Sequence, residues 1–161
     1  MARVFLGLVS ANAILIIGAA LLGTFRDKLG VDRHVVLAVL ALMLSCLTQG
    51  LVFTYFSVSG KIVSQAVHLG NLSNDSLDRS VRLKRSFTHA MAIPFAAIVA
   101  VAASGGAVWR TGRHADVHWV IASIASLAHL PIWVRQFRLI AAHASLVAGV
   151  LGAYASRPQV P

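Results

Sequence analysis

Glutamate is absent from this sequence, and no charged residue stands in the middle of any of its four long apolar runs. The five acidic residues are all aspartates, at 27, 32, 75, 78 and 116, in or beside the polar connections. Proton relays, ion-coupled transporters and voltage sensors place ionisable groups inside the membrane, so this pattern argues against all three. Carboxylate acid–base catalysis has little to work with. Cysteine occurs once, as Cys46, which rules out an internal disulfide and a cysteine-based zinc site. No phosphate loop, H-E-x-x-H, C-x-x-C or nucleophile–base motif is present. Charged residues make up 12% of the chain, about half the usual share in a soluble domain.

What the chain has is hydrocarbon. Residues 4–23, 35–57, 87–108 and 117–134 are each nearly free of charge. An apolar layer about 30 Å thick needs roughly 20 residues of helix to cross it. The expected fold is therefore all-α, an integral membrane bundle of four transmembrane helices forming a single domain over residues 1–161. The first run also resembles a signal peptide, with Arg3 ahead of it and Ala11-Asn12-Ala13 inside it, but the apolar stretch continues through Ile17. An uncleaved first span is expected.

The net charge of +9 suits a nucleic-acid binder only if the charges share one solvated face. Here they flank the apolar runs, as membrane anchors do, so no nucleic-acid partner is expected. Four spans put both termini and the central connection on one side. That side holds nine basic residues, Arg3, Lys61, Arg79, Arg82, Lys84, Arg85, Arg135, Arg138 and Arg157. The other side holds five, Arg26, Lys28, Arg33, Arg110 and Arg113. The positive-inside rule then places both termini in the cytoplasm, in a bacterial inner membrane.

Between spans two and three, Ile62, Val63, Ala66 and Leu69 form one helical stripe. Gly70-Asn71 breaks it, and Asn74 or Asp75 is placed to cap a new helix. Residues 58–86 thus read as a cytoplasmic helical hairpin. Helices two, three and four are expected to extend into the cytoplasm. On the far side Asp32 and Asp116 are placed to cap helices two and four, and Gly105-Gly106 to end helix three. Residues 135–156 read as an extension of the fourth helix, with large residues on one face and Ala144, Ala148 and Gly152 on another. A fifth span over 139–155 is the alternative.

Several residues are candidates for contact or chemistry. Ala92, Ala96, Ala100 and Ser104 lie on one helical row, and small residues let helices approach closely in lipid. This row reads as packing within the chain or as a docking face for another subunit. Asn12, Thr48 and Gln49 are the deepest polar groups of spans one and two and must find partners inside the bundle. His89 and His129 stand near the same end of spans three and four, at a spacing that would suit haem b between neighbouring helices. His114 and His118 read as interfacial anchors beside Trp119, and His34, His68 and His143 as helix-end or surface residues. Trp109, Trp119, Trp133, Phe53, Tyr55 and Phe56 read as an interfacial aromatic belt.

The segment Phe53-Thr54-Tyr55-Phe56-Ser57-Val58-Ser59-Gly60-Lys61, followed by the basic stretch Ser80-Val81-Arg82-Leu83-Lys84-Arg85-Ser86-Phe87, is similar to a pattern in uncharacterised bacterial four-span membrane proteins. The resemblance implies the same architecture and carries no activity. The functional expectation is a non-catalytic accessory or structural subunit of a larger inner-membrane assembly, a respiratory or redox complex being one setting. Its partners would be the lipid bilayer and other membrane subunits, with no cofactor. The alternatives are a haem b electron carrier using His89 and His129, and a small pore or transporter.

Overall fold

Within hydrocarbon every backbone amide must be satisfied by its own segment, so apolar runs of this length fold as helices. The computed structural model describes residues 1–25 and 30–156. Four helices account for nearly all of them: α1 (Ala2–Thr24), α2 (Val31–Leu69), α3 (Asp75–Thr111) and α4 (Ala115–Ala155). All four are long and apolar enough to cross a membrane. Arg26, Asp27, Lys28 and Arg157, which enter the charge count, lie outside the described residues.

Helix lengths separate the first helix from the others. With 23 residues, α1 matches the hydrocarbon thickness, whereas α2, α3 and α4 have 39, 37 and 41. The excess beyond a ~20-residue span is roughly 25–30 Å of helix, enough for the expected projecting layer. No turn interrupts α4 between the fourth span and Ala155, so residues 139–155 continue that helix and form no separate fifth span. Pro94 and Pro131 both lie inside continuous helices.

Helix ends depart from expectation in instructive ways. Gly105 and Gly106 do not end α3. The helix runs on to Thr111 and stops at Gly112, whose φ of +67° is the left-handed conformation suited to glycine. Asp32 and Asp116 lie in the first turns of α2 and α4 rather than at the caps, which are Gly30 and His114. A carboxylate in the first turn still complements the helix dipole. Asn74 occupies the α3 cap without a side-chain bond, and Ser73 Oγ accepts the Asp75 amide instead.

The helices alternate in direction, so α2 and α4 run parallel. These two form the centre of the bundle, each touching the other three helices, while α1 and α3 make no contact among the described residues. Phe5 and Val9 of α1, Val52 and Phe56 of α2, Phe87 of α3 and Ile140 of α4 form one cluster, joined through α2 and α4. Within it the rings of Phe56 and Phe87 stack at 4.9 Å. A second cluster, Val63, Ala66, Val67 and Val150, closes the projecting part with Leu146, Val147 and Tyr154. Phe56 is thus fully buried and does not belong to an interfacial belt, whereas Trp109 and Trp119 are exposed.

Because lipid is as apolar as phenylalanine, the Phe56–Phe87 contact stabilises the fold through dispersion and close packing rather than transfer from water. Phe56→Ala should therefore lower stability by roughly 2–4 kcal/mol through the void it leaves. Phe53→Ala, on the exposed side of the same turn, should change it by less than about 1 kcal/mol. Reversible unfolding of both variants by SDS titration in mixed micelles measures the difference.

Candidate functional site

Every deeply placed polar side chain in such a bundle either bonds back to its own helix or reaches a neighbour. Most hydroxyls take the first course. Thr24, Thr48, Thr54, Thr88, Thr111 and Ser126 donate to the carbonyl four residues earlier, so they face lipid or core without an orphan donor. The groups that reach across helices are few, and they form three tiers along the α2–α4 seam, with one further bond from α1.

The central tier is a pair of buried amides. Gln136 Nε2 donates to Gln49 Oε1 at 2.9 Å, and Gln49 Nε2 returns a bond to Gln136 Oε1 at 3.3 Å. Gln49 was expected inside the bundle, but its partner Gln136 was not identified. Beside this tier Asn12 of α1 donates to Ser45 of α2 at 2.6 Å, so Asn12 is buried as expected. Its Oδ1 has no partner among the described residues.

At the α2–α3 end the tier is His143, a fully buried imidazole. Ser80 Oγ of α3 lies 3.1 Å from Nε2, and Ser59 Oγ of α2 lies 3.4 Å from Nδ1. Ser59 gives its own proton to the Tyr55 carbonyl, so it accepts from Nδ1–H, and Ser80 donates to Nε2. Both ring nitrogens are engaged. The rings of Phe56 and Tyr55 close over the imidazole at 4.6 and 5.6 Å. His143 is therefore no surface residue.

At the opposite end His118 of α4 repeats the theme with Ser104 of α3, Nδ1 to Oγ at 2.9 Å. His34 of α2 bonds the Ala19 carbonyl of α1 through Nδ1 at 2.7 Å. The two imidazoles lie 6.3 Å apart, centre to centre, at 78°. His118 and His143 are 25 residues apart on α4, about 37 Å. The two end tiers therefore bracket a hydrocarbon layer about 30 Å thick, and between them stand the glutamine pair, the Asn12–Ser45 bond and the buried His129.

The candidate haem residues are not placed as a pair. His129 is buried, its Nδ1 spent on the Ala125 carbonyl and its ring against Trp133. His89 is exposed, bonded to the Arg85 carbonyl of its own helix, and it points away from the α3 face that buries Phe87, Ala90, Pro94 and Ile98. The small-residue row is likewise turned outward. Ala92, Ala96 and Ala100 are exposed, and of that row only Ser104 is engaged inside the chain. In α4, Ala148 and Gly152 are exposed and Ala144 is half-buried. Packing within the chain therefore does not use the α3 row. Cys46 is exposed.

Sequence reasoning missed Gln136, His143, His118 and His34 as interhelical groups. One signal was available for the last two, since glycine stands opposite each. A side chain at Gly23 would come within 3.0 Å of the His34 ring, and one at Gly105 within 3.0 Å of the His118 ring.

His143 lies nine residues beyond the fourth predicted span, and burial holds its pKa below the ordinary imidazole value. The unfolded chain protonates near pH 6.5 while the folded one resists. The stabilising contribution is thus complete above about pH 6.5 and is lost as pH falls below it, at up to about 1.4 kcal/mol per pH unit. Melting in detergent between pH 7.5 and 5 should show this acid loss, and His143→Gln should flatten it.

No protein-family model, curated protein or solved structure matches this chain.

Proposed function

We propose that this chain is a non-catalytic accessory subunit of a larger assembly in the bacterial cytoplasmic membrane, with both termini on the cytoplasmic side. The observation that carries the reading is the outward face of α3. Lipid accepts any apolar side chain, so exposed Ile93 and Val99 say nothing of a partner. A row of alanines at 92, 96 and 100 is different, since it offers lipid little contact but lets another helix approach backbone to backbone. Of the four apolar windows, that of α3 is the least covered, with 6% buried against 28% in α2.

The rest of the molecule supports the same reading. Its interior polar groups are mostly engaged with one another and leave no reactive group addressed to a substrate. One groove, beside the α2–α3 turn, is lined by Leu72, Ser73, Arg79 and Val150, and another, further along α2, presents a mostly apolar surface from Met1, Leu51, Val58 and Ile62 with Thr54, Tyr55 and Ser59 beside them. The projecting parts of α2, α3 and α4 supply a basic surface, including Arg79, Arg82, Lys84 and Arg85, suited to anionic headgroups or to an acidic partner.

Gentle extraction from native membranes should recover the chain with at least one other membrane protein. Ala96→Leu and Ala100→Leu should weaken that association tenfold or more while leaving the melting temperature within a few degrees, because both positions are exposed. A chain that purifies as a lone monomer, or an association indifferent to both changes, would remove the proposal. Reporter fusions at the two termini and in the 112–114 turn test the orientation.

A further inference from the structure

Three histidines make interhelical contacts, and their nitrogens are used differently. Both nitrogens of His143 are engaged by serines. His34 Nδ1 faces a carbonyl oxygen, which only accepts, so the proton sits on Nδ1. Ser104 gives its hydroxyl proton to the Val101 carbonyl, so its oxygen accepts the proton on His118 Nδ1. In both rings Nε2 is left as a lone-pair nitrogen with no hydrogen bond among the described residues.

Orientation is fixed as firmly as the tautomer. The Nδ1–Cε1 edge of His34 is held against α1 by Ala19 and Gly23, while His118 is held against α3 by Ser104 at Nδ1 and by Gly105 at its Cε1 corner. Each ring needs the missing side chain of its glycine, since any Cβ there would meet it at 3.0 Å. Imidazoles that ligate metals are held in this way, with Nδ1–H donated to a fixed oxygen and Nε2 free to bind.

The separation also fits. A metal–nitrogen bond of about 2.0–2.1 Å, added to the ring radius on each side, puts two ligating imidazole centres at most about 6.4 Å apart. They come closer as the angle at the metal bends. The observed 6.3 Å lies just inside that limit, so the two nitrogens would stand on nearly opposite sides of the ion, the trans arrangement of a tetragonal site, whereas tetrahedral zinc would hold the centres at about 5 Å. The donors are imidazole with no thiolate at this end, which suits copper(II) or nickel(II).

We propose that His34 and His118, through their Nε2 atoms, form a two-imidazole site for a first-row transition-metal ion between α2 and α4 at the α1–α2 and α3–α4 hairpin end. Water completes the coordination. Binding there ties the α1–α2 hairpin to the α3–α4 hairpin, which at that end share the contact between these two rings. Copper(II), highest in the divalent affinity series, is the strongest expected ligand.

The full chain in detergent or nanodiscs, titrated with Cu²⁺ alone, should bind one ion per chain, and Zn²⁺ alone should bind at least tenfold more weakly. Electron paramagnetic resonance of the copper form should show coupling to two imidazole nitrogens. His34→Gln and His118→Gln should each weaken binding at least tenfold, and His89→Gln and His129→Gln should leave it unchanged. Should the first two variants misfold, ¹⁵N-histidine spectra of the unaltered protein give the same test, with substoichiometric Cu²⁺ broadening the imidazole signals of His34 and His118 first. Absence of copper binding at about 100 μM ion, binding unaffected by both variants, or broadening confined to other histidines would each overturn the site.

Discussion

Hydrocarbon gives a polar side chain no hydrogen-bond partner, so each polar group inside this bundle must be answered by its own helix or by a neighbour. That constraint fixes how the four helices meet. An apolar seam in lipid tolerates sliding, because leucine against leucine is worth little more than leucine against a lipid tail. A pair such as Gln49 and Gln136 does not tolerate it, since a shift of one turn separates two amides that have no water to turn to. The contacts His34–His118 and Ser59–His143 join α2 to α4 at an identical offset of 84 residues, and the glutamines at 87. Three tiers at nearly constant offset define two parallel helices in one register over almost their whole shared length.

The placement of the tiers by depth follows from the same constraint. Imidazoles are costly at the bilayer centre and acceptable near its surfaces, where water and headgroups reach. Tiers about 37 Å apart straddle the hydrocarbon rather than sit within it. Between them the interior is left to Phe5, Val9, Val52, Phe56, Phe87 and Ile140, with Gln49–Gln136 and Asn12–Ser45 as side-chain pairs and His129 bonded back to its own helix. Individual bonds of this kind average about 0.6 kcal/mol in lipid. Their role is therefore to select one register from many of similar energy, with close packing of the aromatic cluster adding the larger share of cohesion.

The architecture was legible because apolar length is a one-dimensional property. Twenty uncharged residues specify a crossing whatever lies beside them, and that holds for all four runs. Which face of each crossing turns inward was not legible, because nearly every position is apolar and periodicity vanishes. The α3 row at 92, 96 and 100, readable either as packing within the chain or as a docking face, is turned outward, while Pro94 and Ile98 face inward. Phe56 and His143 looked interfacial and are wholly buried. Gly105 looked like a helix terminator, but its lack of a side chain serves the His118 ring on the neighbouring helix. In each case the residue's role is set by a partner tens of positions away. A single sequence without periodicity does not reveal that pairing. Asn12 and Gln49 were found because polarity in an apolar run is a local signal.

The two ends of the bundle are built from similar parts and differ in the α2 residue and in the ring nitrogen that the α3 serine takes. Each has an α4 histidine bonded to an α3 serine and an α2 residue set against the ring. Where that α2 residue is Ser59, it takes the Nδ1 proton of His143 while Ser80 satisfies Nε2, and the aromatic rings of Tyr55 and Phe56 seal the site. Such a histidine is a structural pin, and its chemistry is over once the fold forms. Where the α2 residue is His34, a second imidazole replaces the hydroxyl, and each ring takes its Nδ1 acceptor from the outer helix of its own hairpin. Both Nε2 nitrogens are left without a hydrogen bond among the described residues. Thus a histidine in place of a serine at equivalent points of α2, together with the α3 serine taking Nδ1 rather than Nε2, separates an end that only holds the helices from an end equipped to bind.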